Sequence, residues 1–421
     1  MLRFFLIFLL FGLSAISFLD RTNISIAAPE LRAGFHLSNV ELGWVFSAFL
    51  VGYAGFQLVA GKLADRYGPR KMLTAGVLGW CLFTAMTAVV QPHWRFALLL
   101  LLGVRFALGV GESIIYPAGN LFVSRWIPTS EQGLANGLIF AGVGAGAGLT
   151  PPLLNWVIQS YGWRACFWLS ALIGVFAAGV WYLSSRDQPE AHPWISAKEL
   201  EHIRRGLEAK STADVRKADP SSASPYRNGQ IWLLSASYFS FGYTAWIFFS
   251  WFFLYLAEVR HLSLRNSAFF TTLPFLAMTI SSPVAGYISD RISHAYGSYR
   301  GRSIFAAVSL MLTALLLLEG SRITSVTAAA LVLASGAGML YASQSCYWCA
   351  AIAASGTKKG AAAGLMNMGG QIGGALTATL TPWIATKFGW IAAFAVAAIV
   401  AFAGGVAWLF VRPTRSSQVS L

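Results

Sequence analysis

The sequence predicts an all-α polytopic membrane protein in which twelve transmembrane helices form two pseudo-symmetric six-helix bundles. Hydrophobic residues make up 56% of the 421 residues and charged residues only 11%, whereas a soluble domain has about 45–50% and about 25%. The apolar residues fall into blocks near the length that a bilayer requires. Short motifs from the first half of the chain also recur in the second half.

Twelve apolar blocks follow one another along the chain, each long enough to cross a bilayer as a helix. The first block could be mistaken for a signal peptide, but no small-residue cleavage site follows it. We therefore interpret it as an uncleaved first span. The blocks are residues 3–31, 39–60, 72–91, 95–123, 132–158, 163–184, 230–257, 265–288, 302–319, 324–354, 360–385 and 388–411.

The longest polar stretch lies between the sixth and seventh blocks. Residues 186–229 contain four prolines, a serine cluster at 221–224 and an amphipathic piece around 198–208. Such a stretch is typical of an interdomain linker. It divides the chain into an N-terminal bundle, residues 1–185, and a C-terminal bundle, residues 230–421.

Lysine and arginine predict the orientation, because cytoplasmic loops carry an excess of both. With a cytoplasmic N-terminus, the cytoplasmic segments hold 21 of the 30 basic residues and the outer segments hold 7. Both termini and the linker are therefore predicted to be cytoplasmic. The net charge of +14 does not indicate a nucleic-acid partner, since the basic residues are spread between apolar blocks and form no single face. The expected surroundings are a lipid bilayer.

Two coherent offsets relate the halves. Motifs on either side of the second span recur 225 residues later, and motifs within and just after the fifth span recur 227 residues later. The pairs are Gly61–Arg66 with Gly286–Arg291, Leu37-Ser38 with Leu262-Ser263, Gly137-Leu138 with Gly364-Leu365, and Tyr161–Trp163 with Phe388–Trp390. Duplicated halves are typical of carriers in which one bundle rocks against the other around a midplane site.

The repeated charged motif supplies candidate gating residues. Asp65 and Arg66 follow the second span, and Asp290 and Arg291 are their repeats after the eighth. Asp65 could cap a helix N-terminus or pair across the halves. Either contact would act as a gate and would not bind substrate.

Four ionisable side chains lie inside spans, Asp20 and Arg21 in the first and Arg105 and Glu112 in the fourth. Such charges are costly and usually functional, and the four sum to zero when both acids are ionised. Arg105 and Glu112 are two turns apart, about 10 Å, so we expect ionic partners across the two helices. A structural salt-bridge network and a substrate and proton site both remain open. Because no histidine lies inside a span, proton coupling would depend on Asp20 and Glu112.

The second half offers neutral polar groups. Gln344 and Trp348 lie in the tenth span, and Asn367 and Gln371 lie one turn apart in the eleventh. Such groups can orient the hydroxyls of a polyol, although interhelical polar packing explains them equally well. Tyr243 and Trp246 in the seventh span belong to the same class.

The four cysteines all lie inside apolar blocks, so no disulfide framework is expected. Cys346 and Cys349 form a CxxC spacing, but the apolar helix around them supplies no further metal ligands. We expect no metal and no cofactor, with a proton gradient as the driving force.

Several of these motifs resemble a known family. Residues 61–71 resemble the cytoplasmic-loop signature of the major facilitator superfamily. Residues 18–25, residues 46–49 with Tyr53 and Gln57, and residues 105–117 resemble its anion–cation symporter branch. That branch includes bacterial importers of galactonate, glucarate and hexuronates, and animal carriers of sialic acid and glutamate. The resemblance covers essentially the whole chain.

This resemblance implies roles for individual residues. Arg21, Tyr53 and Asn367 match positions that hold the substrate, and Arg105 matches an arginine that supports the substrate or the conformational change. Asp20 and Glu112 match the protonation sites of the bacterial members. The polar cluster from Gln344 to Trp348 differs in detail from the family pattern, so it does not indicate which anion is carried.

The sequence therefore predicts a monomeric carrier in a bacterial inner membrane that imports a small organic anion, a sugar acid by preference, by proton symport with alternating access. The alternative is a proton-driven exporter of drugs or metabolites, which the 16 Trp and 30 Phe would permit, although the Gly-Pro dipeptide of the antiporter motif is absent from the fifth block. An organophosphate exchanger would need an arginine within the second-half spans. An enzyme or sensor would need a metal, a nucleophile or a soluble domain.

Overall fold

The computed structural model describes residues 1–214, 225–262, 264–297, 300–355 and 358–411. Within these ranges the secondary structure consists of helices and their connections, without a strand. This confirms the predicted all-α class. Residues 220–224, Ser263 and the chain after Val411, on which parts of the linker and repeat predictions rest, lie outside the described residues.

Apart from the linker, the described residues form twelve long helices that correspond in order to the predicted blocks. Ten of them are long and apolar enough to cross a membrane. The other two, α7 and α11, have 22 and 30 residues, and their polar aromatic residues and glycines lower the mean hydropathy. The helices are α1 Leu2–Ile26, α2 Asn39–Tyr67, α3 Pro69–Val89, α4 Ala97–Trp126, α5 Gln132–Tyr161, α6 Trp163–Ser184, α7 Gly229–Ser250, α8 Leu264–Tyr296, α9 Arg300–Arg322, α10 Val326–Ala354, α11 Lys359–Phe388 and α12 Trp390–Leu409.

Several helix ends differ from the predicted blocks. The helices α2 and α8 continue to Tyr67 and Tyr296, past the predicted ends at 60 and 288, so both copies of the charged motif are helical. The first span ends at Ile26, and a separate short helix, Ala28–Phe35, begins with Pro29 in its first turn, a position that proline favours because it has no N–H to donate. The seventh helix ends at Ser250, and two short helical turns continue to Val259. Apolar composition extends past the ends of the first and seventh helices, so the apolar blocks 3–31 and 230–257 are longer than these helices.

The fourth and tenth helices are each interrupted near the middle. The fourth consists of Ala97–Glu112 and Ile115–Trp126, and the tenth of Val326–Ala342 and Gln344–Ala354. Glu112 is the last residue before one break, and Gln344 is the first residue after the other. Interrupted helices in carriers place polar groups and free backbone groups near the membrane midplane.

The backbone repeats the duplication seen in the sequence. The described residues with positive φ form three pairs, one member in each half. Each glycine pair begins a helix, and each histidine ends a helical segment in the left-handed region, which L side chains seldom adopt. The pairs are Gly68 and Gly297, Gly162 and Gly389, and His36 (φ 53°) and His261 (φ 54°).

Close helix packing relies on glycines in α5, as its glycine-rich sequence predicts. A Cβ on Gly142 would overlap the Phe11 carbonyl of α1, and one on Gly137 would overlap the Ser282 carbonyl of α8. The fifth helix therefore packs tightly inside the first half and against the second half at once. The glycines of α11 pack similarly against α7.

The stretch after α6 forms a helix, Ala197–Asp214, where the sequence showed an amphipathic piece. Glu199 in this helix accepts hydrogen bonds from the backbone N–H groups of Leu2 and Arg3, at 3.0 and 3.1 Å. The linker helix thereby caps the start of α1. We call this end of the molecule the linker side. The division at 186–229 stays a prediction.

Candidate functional site

A cavity lies between the two halves, lined by α1, the second part of α4, α5, α7, α10 and α11. It encloses about 480 Å³ of empty space, including its open side. Arg21 is the one charged side chain among the described residues that line it, and Gln344, Asn367 and Gln371 supply polar groups on the opposite wall. Most of the remaining lining is aromatic: Phe18, Tyr116, Phe140, Tyr238, Phe241, Trp246, Phe249 and Tyr341.

Arg21 and Glu112 form an ion pair across α1 and α4. The Arg21 Nε lies 2.8 Å from Glu112 Oε1, and the Ser17 hydroxyl donates to the same oxygen. Glu112 is fully buried, and the Arg21 side chain is 8% exposed. The prediction that ionic partners cross between the two helices is thus correct for this pair.

Three aromatic rings surround the Arg21 guanidinium. Its Cζ lies 4.3 Å from the ring centre of Tyr53, 4.7 Å from Phe18 and 5.5 Å from Phe49. Cation–π contacts of this kind strengthen when they are shielded from water. Arg21 Nη2 is buried and has no hydrogen-bond partner among the described residues. A terminal nitrogen thus remains available to an anion, while Nε is held by Glu112.

Asp20 and Arg105 do not line the cavity. Both are 2% exposed, and Arg105 Cζ is 5.2 Å from the Phe49 ring. The Asp20 carboxylate is directed toward Trp80 of α3 and Ser170 of α6, and neither of its oxygens has a hydrogen-bond partner in the described part of the chain. The second cross-helix pair suggested by the sequence is therefore not a direct hydrogen-bonded ion pair. Phe49 packs against both guanidinium groups.

The polar side chains of the second half use only some of their atoms in hydrogen bonds. Gln344 Nε2 donates to the Tyr238 hydroxyl at 2.8 Å, and Asn367 Nδ2 donates to Gln57 Oε1 across the halves at 3.1 Å. The carbonyl oxygens of Gln344 and Gln371 are buried and accept no hydrogen bond from the described residues. These two oxygens can accept from donors on a bound molecule.

Tyr53 and Trp348 lie just outside the cavity lining. Tyr53 is fully buried beneath Arg21, and Trp348 is 1% exposed. The Trp348 ring packs 5.1 Å from Phe140 and 5.8 Å from Tyr116, both of which line the cavity. These two residues shape the wall and do not contact the open space directly.

Two aspartates hold the halves together on the linker side. Asp65 of α2 accepts from the backbone N–H groups of Gly360 and Ala361, at 2.9 and 3.0 Å, and so caps the N-terminus of α11. Asp290 of α8 caps α5 in the same manner through the N–H groups of Gly133 and Leu134, at 2.9 and 2.8 Å. The sequence left open whether Asp65 caps a helix or pairs across the halves. It does both, because the helix that it caps belongs to the other half. Each half caps the other.

The arginines of the repeated motif behave differently from the aspartates. Arg66 and Arg291 are exposed and lie beside the rings of Tyr67 and Tyr287. The residue that pairs with Asp290 is Arg302, at 2.7 Å and 5% exposed, which sequence reasoning did not single out. Arg302 stands at the edge of an apolar block, where basic residues are common, so no sequence signal distinguished it.

Comparisons with known proteins place these features in a family context. The sequence profile described as "Major Facilitator Superfamily" matches residues 10–348 and 304–420. The "Probable sulfoacetate transporter SauU" of Cupriavidus necator is 29% identical over 94% of this chain and 91% of its own length. The "Probable L-galactonate transporter" of Escherichia coli is 28% identical over 96% and 87%, and the "Hexuronate transporter" of Bacillus subtilis is 26% identical over 97% and 94%.

A solved structure shares the fold. The proton:xylose symporter XylE bound to 6-bromo-6-deoxy-D-glucose superposes with a TM-score of 0.76 over 98% of this chain and 96% of that one, at 14% identity. The fold match and the anion carriers among the relatives agree with the resemblance noted from the motifs.

Proposed function

This chain belongs to the major facilitator superfamily of transporters, and within it we propose a secondary active carrier that imports a polyhydroxylated organic acid anion together with protons by alternating access. The observation that carries this proposal is the Arg21–Glu112 pair at the cavity wall, in which one guanidinium is shared between a buried carboxylate and open space. The named relatives carry organic anions, in keeping with an anion in that space.

Proton coupling follows from competition for Arg21. Two unit charges 4 Å apart attract by about 4 kcal/mol at an effective dielectric near 20. When a substrate carboxylate engages Arg21, Glu112 loses part of that attraction, and a bound proton then removes the cost of an unpaired buried charge. Anion and proton therefore bind together. No cofactor enters this scheme.

The cavity favours a substrate with one anionic group and several hydroxyls. Arg21 is the single cation among the described lining residues, while the opposite wall presents the free carbonyl oxygens of Gln344 and Gln371. A hydroxyl can donate to such an oxygen, whereas a second anionic group would be repelled by it. A hexonate such as galactonate matches this pattern, and sulfoacetate, which has two anionic groups and no hydroxyl, does not.

The linker-side contacts support alternating access. Asp65 and Asp290 each bind the N-terminus of a helix in the opposite half, so the linker side is closed while both caps persist. Release of the caps would let the halves separate there. With the linker side cytoplasmic, as the basic residues predict, these caps would close the cytoplasmic side, and we propose that substrate enters from outside the cell while they persist. We propose a monomer in a bacterial inner membrane.

An exporter of drugs or metabolites is the competing function. The aromatic lining of the cavity suits apolar molecules, but these would leave Arg21 Nη2 and the two glutamine oxygens without partners. Burying such groups unsatisfied costs about 1–3 kcal/mol each. A bound hydroxylated anion would leave fewer of these polar atoms without a partner.

The test is uptake into proteoliposomes with and without an inward proton gradient, using galactonate, glucuronate, sulfoacetate and an apolar cation. We expect gradient-driven accumulation of the hydroxylated monoanions and loss of uptake in Arg21→Ala. Glu112→Gln should lose accumulation and keep counterflow exchange. Absence of gradient-driven uptake for every carboxylate, or transport of the apolar cation instead, would contradict the proposal.

A further inference from the structure

A group of buried polar side chains inside the first half takes no part in the contacts described so far. Asp20 Oδ1 and Oδ2, Trp80 Nε1, Thr84 Oγ1 and Arg105 Nε and Nη1 have no hydrogen-bond partner among the described residues, and neither does Asn23 Oδ1. All five residues are 2% exposed or less. We call this group the α1–α3–α4 pocket.

These side chains converge on Asp20. The Trp80 indole and the Ser170 hydroxyl are directed toward its carboxylate, and the charges of Glu112 and Arg105 both act on it. Asn23 lies one turn further along α1 and donates to Ser170 at 3.0 Å. Thr84 lies one turn beyond Trp80 on the same face of α3, so the pocket extends from Asp20 toward the end of the molecule opposite the linker side.

The pocket is separate from the substrate cavity. None of its members lines that cavity, and the Phe49 ring packs against both the Arg105 and the Arg21 guanidinium, at 5.2 and 5.5 Å. Asp20 does not line the cavity in this state, and its link to the cavity wall is through the charge of Glu112. A proton can therefore reach Asp20 without passing the bound substrate.

The chemistry of the pocket matches water. Asp20 and Asn23 offer acceptors, Trp80 and Arg105 offer donors, and Thr84 offers both. A metal cation would meet the Arg105 charge and the Trp80 N–H, and an anion would meet Asp20. Water satisfies donors and acceptors together, and buried waters usually occupy sites with such partners.

We propose that the α1–α3–α4 pocket binds ordered water molecules that carry protons to Asp20 from the side opposite the linker, by a route separate from the substrate. In each transfer an O–H bond forms at an Asp20 oxygen while one breaks in the adjacent water, which recovers a proton from the next water and finally from solvent. This inference rests on the proposed proton coupling, but its first test does not.

The first test is radiolytic hydroxyl footprinting of the purified protein, which labels side chains beside bound water. Trp80 and Trp126 are both fully buried, but Trp126 Nε1 donates to the Arg186 carbonyl at 2.9 Å, whereas Trp80 Nε1 has no partner. We expect Trp80 to be labelled several-fold faster than Trp126, and Thr84→Val to reduce that excess. Equal labelling of the two tryptophans in the wild type would overturn the proposal.

The second test compares two threonines of α3 in proteoliposomes. The Thr87 hydroxyl is buried and already bonded to the Phe83 carbonyl at 3.0 Å, so Thr87→Val is the matched control for Thr84→Val. We expect Thr84→Val to reduce gradient-driven uptake several-fold and to leave counterflow exchange at the wild-type rate, with Thr87→Val near wild type in both. Equal effects of the two variants would overturn the proposal, as would uptake driven by a sodium gradient that Thr84→Val abolishes.

The two failures are distinguishable. If wild-type protein shows no proton-driven uptake but Trp80 is labelled faster than Trp126, the proposed coupling is wrong and the water site stands. If uptake is proton-driven while Trp80 and Trp126 are labelled equally, the coupling stands and the separate route is wrong.

Discussion

Asp65→Asn should open the linker side while leaving the fold intact. The ionised carboxylate accepts from two N–H groups of α11, at 2.9 and 3.0 Å. An asparagine oxygen can accept from one of them, so about 0.5–1.5 kcal/mol is lost with the second hydrogen bond. Loss of the charge at a partly buried helix N-terminus removes about 1 kcal/mol more. Together these amount to about 2 kcal/mol, or about thirtyfold in the equilibrium between closed and open linker sides.

The assay is a spin-label distance measurement between Tyr67 and Tyr296, which are exposed ends of α2 and α8 on the linker side. We expect the longer-distance population to grow in Asp65→Asn. The control is Asp187→Asn, because Asp187 at the start of the linker accepts from the Arg70 N–H at 2.9 Å at the start of α3, a contact that does not join the two halves. If Asp187→Asn lengthens the distance as much as Asp65→Asn, or if Asp65→Asn leaves it unchanged, the cross-half capping argument is wrong.

Three other predictions concern packing, backbone and selectivity. Gly137→Ala adds a Cβ that overlaps α8, and Gly142→Ala adds one that overlaps α1; each overlap costs about 1–3 kcal/mol. Gly137→Ala should shift the spin-label distance, and Gly142→Ala should lower the melting temperature more. His36→Gly and His261→Gly should each raise the melting temperature, because glycine removes about 1 kcal/mol of strain from a backbone in the left-handed region. An unchanged melting temperature in both variants would show that these positions are not strained. Gln371→Leu should weaken competition by galactonate about tenfold through the lost acceptor, as measured by inhibition of labelled uptake. Unchanged competition in Gln371→Leu would refute the hydroxyl contact.

Sequence reasoning anticipated the span count and the relation between the halves, because apolar length and repeated motifs are local in the sequence. It also anticipated that Arg21 pairs with an acid on the fourth helix, since buried charges require partners. It could not anticipate that Asp20 points away from the cavity. That direction depends on the rotation of α1, which the Gly142 contact with α5 helps to fix.

The helix interruptions and the contacts of Asp65 and Asp290 show a second limit of prediction from the sequence. Proline marks the interruption beside Glu112, because Pro117 has no N–H for the Ser113 carbonyl one turn before it. The interruption beside Gln344 contains no proline, so nothing in the composition marks it. The aspartates of the repeated motif were identified as gating candidates, but the cap that each provides lies on a helix more than 150 residues away in the sequence. Such a contact follows from how the two halves dock and is not encoded by any local pattern.

Proton uptake on anion binding tests the central claim most directly. Galactonate is added to purified protein in weakly buffered detergent solution, and the change in pH is recorded for the wild type, Glu112→Gln and Arg21→Ala. The competition for Arg21 predicts alkalinisation in the wild type, binding without alkalinisation in Glu112→Gln, and no binding in Arg21→Ala. Wild-type proton uptake in Glu112→Gln, or anion binding to the wild type with no change in pH, would contradict it.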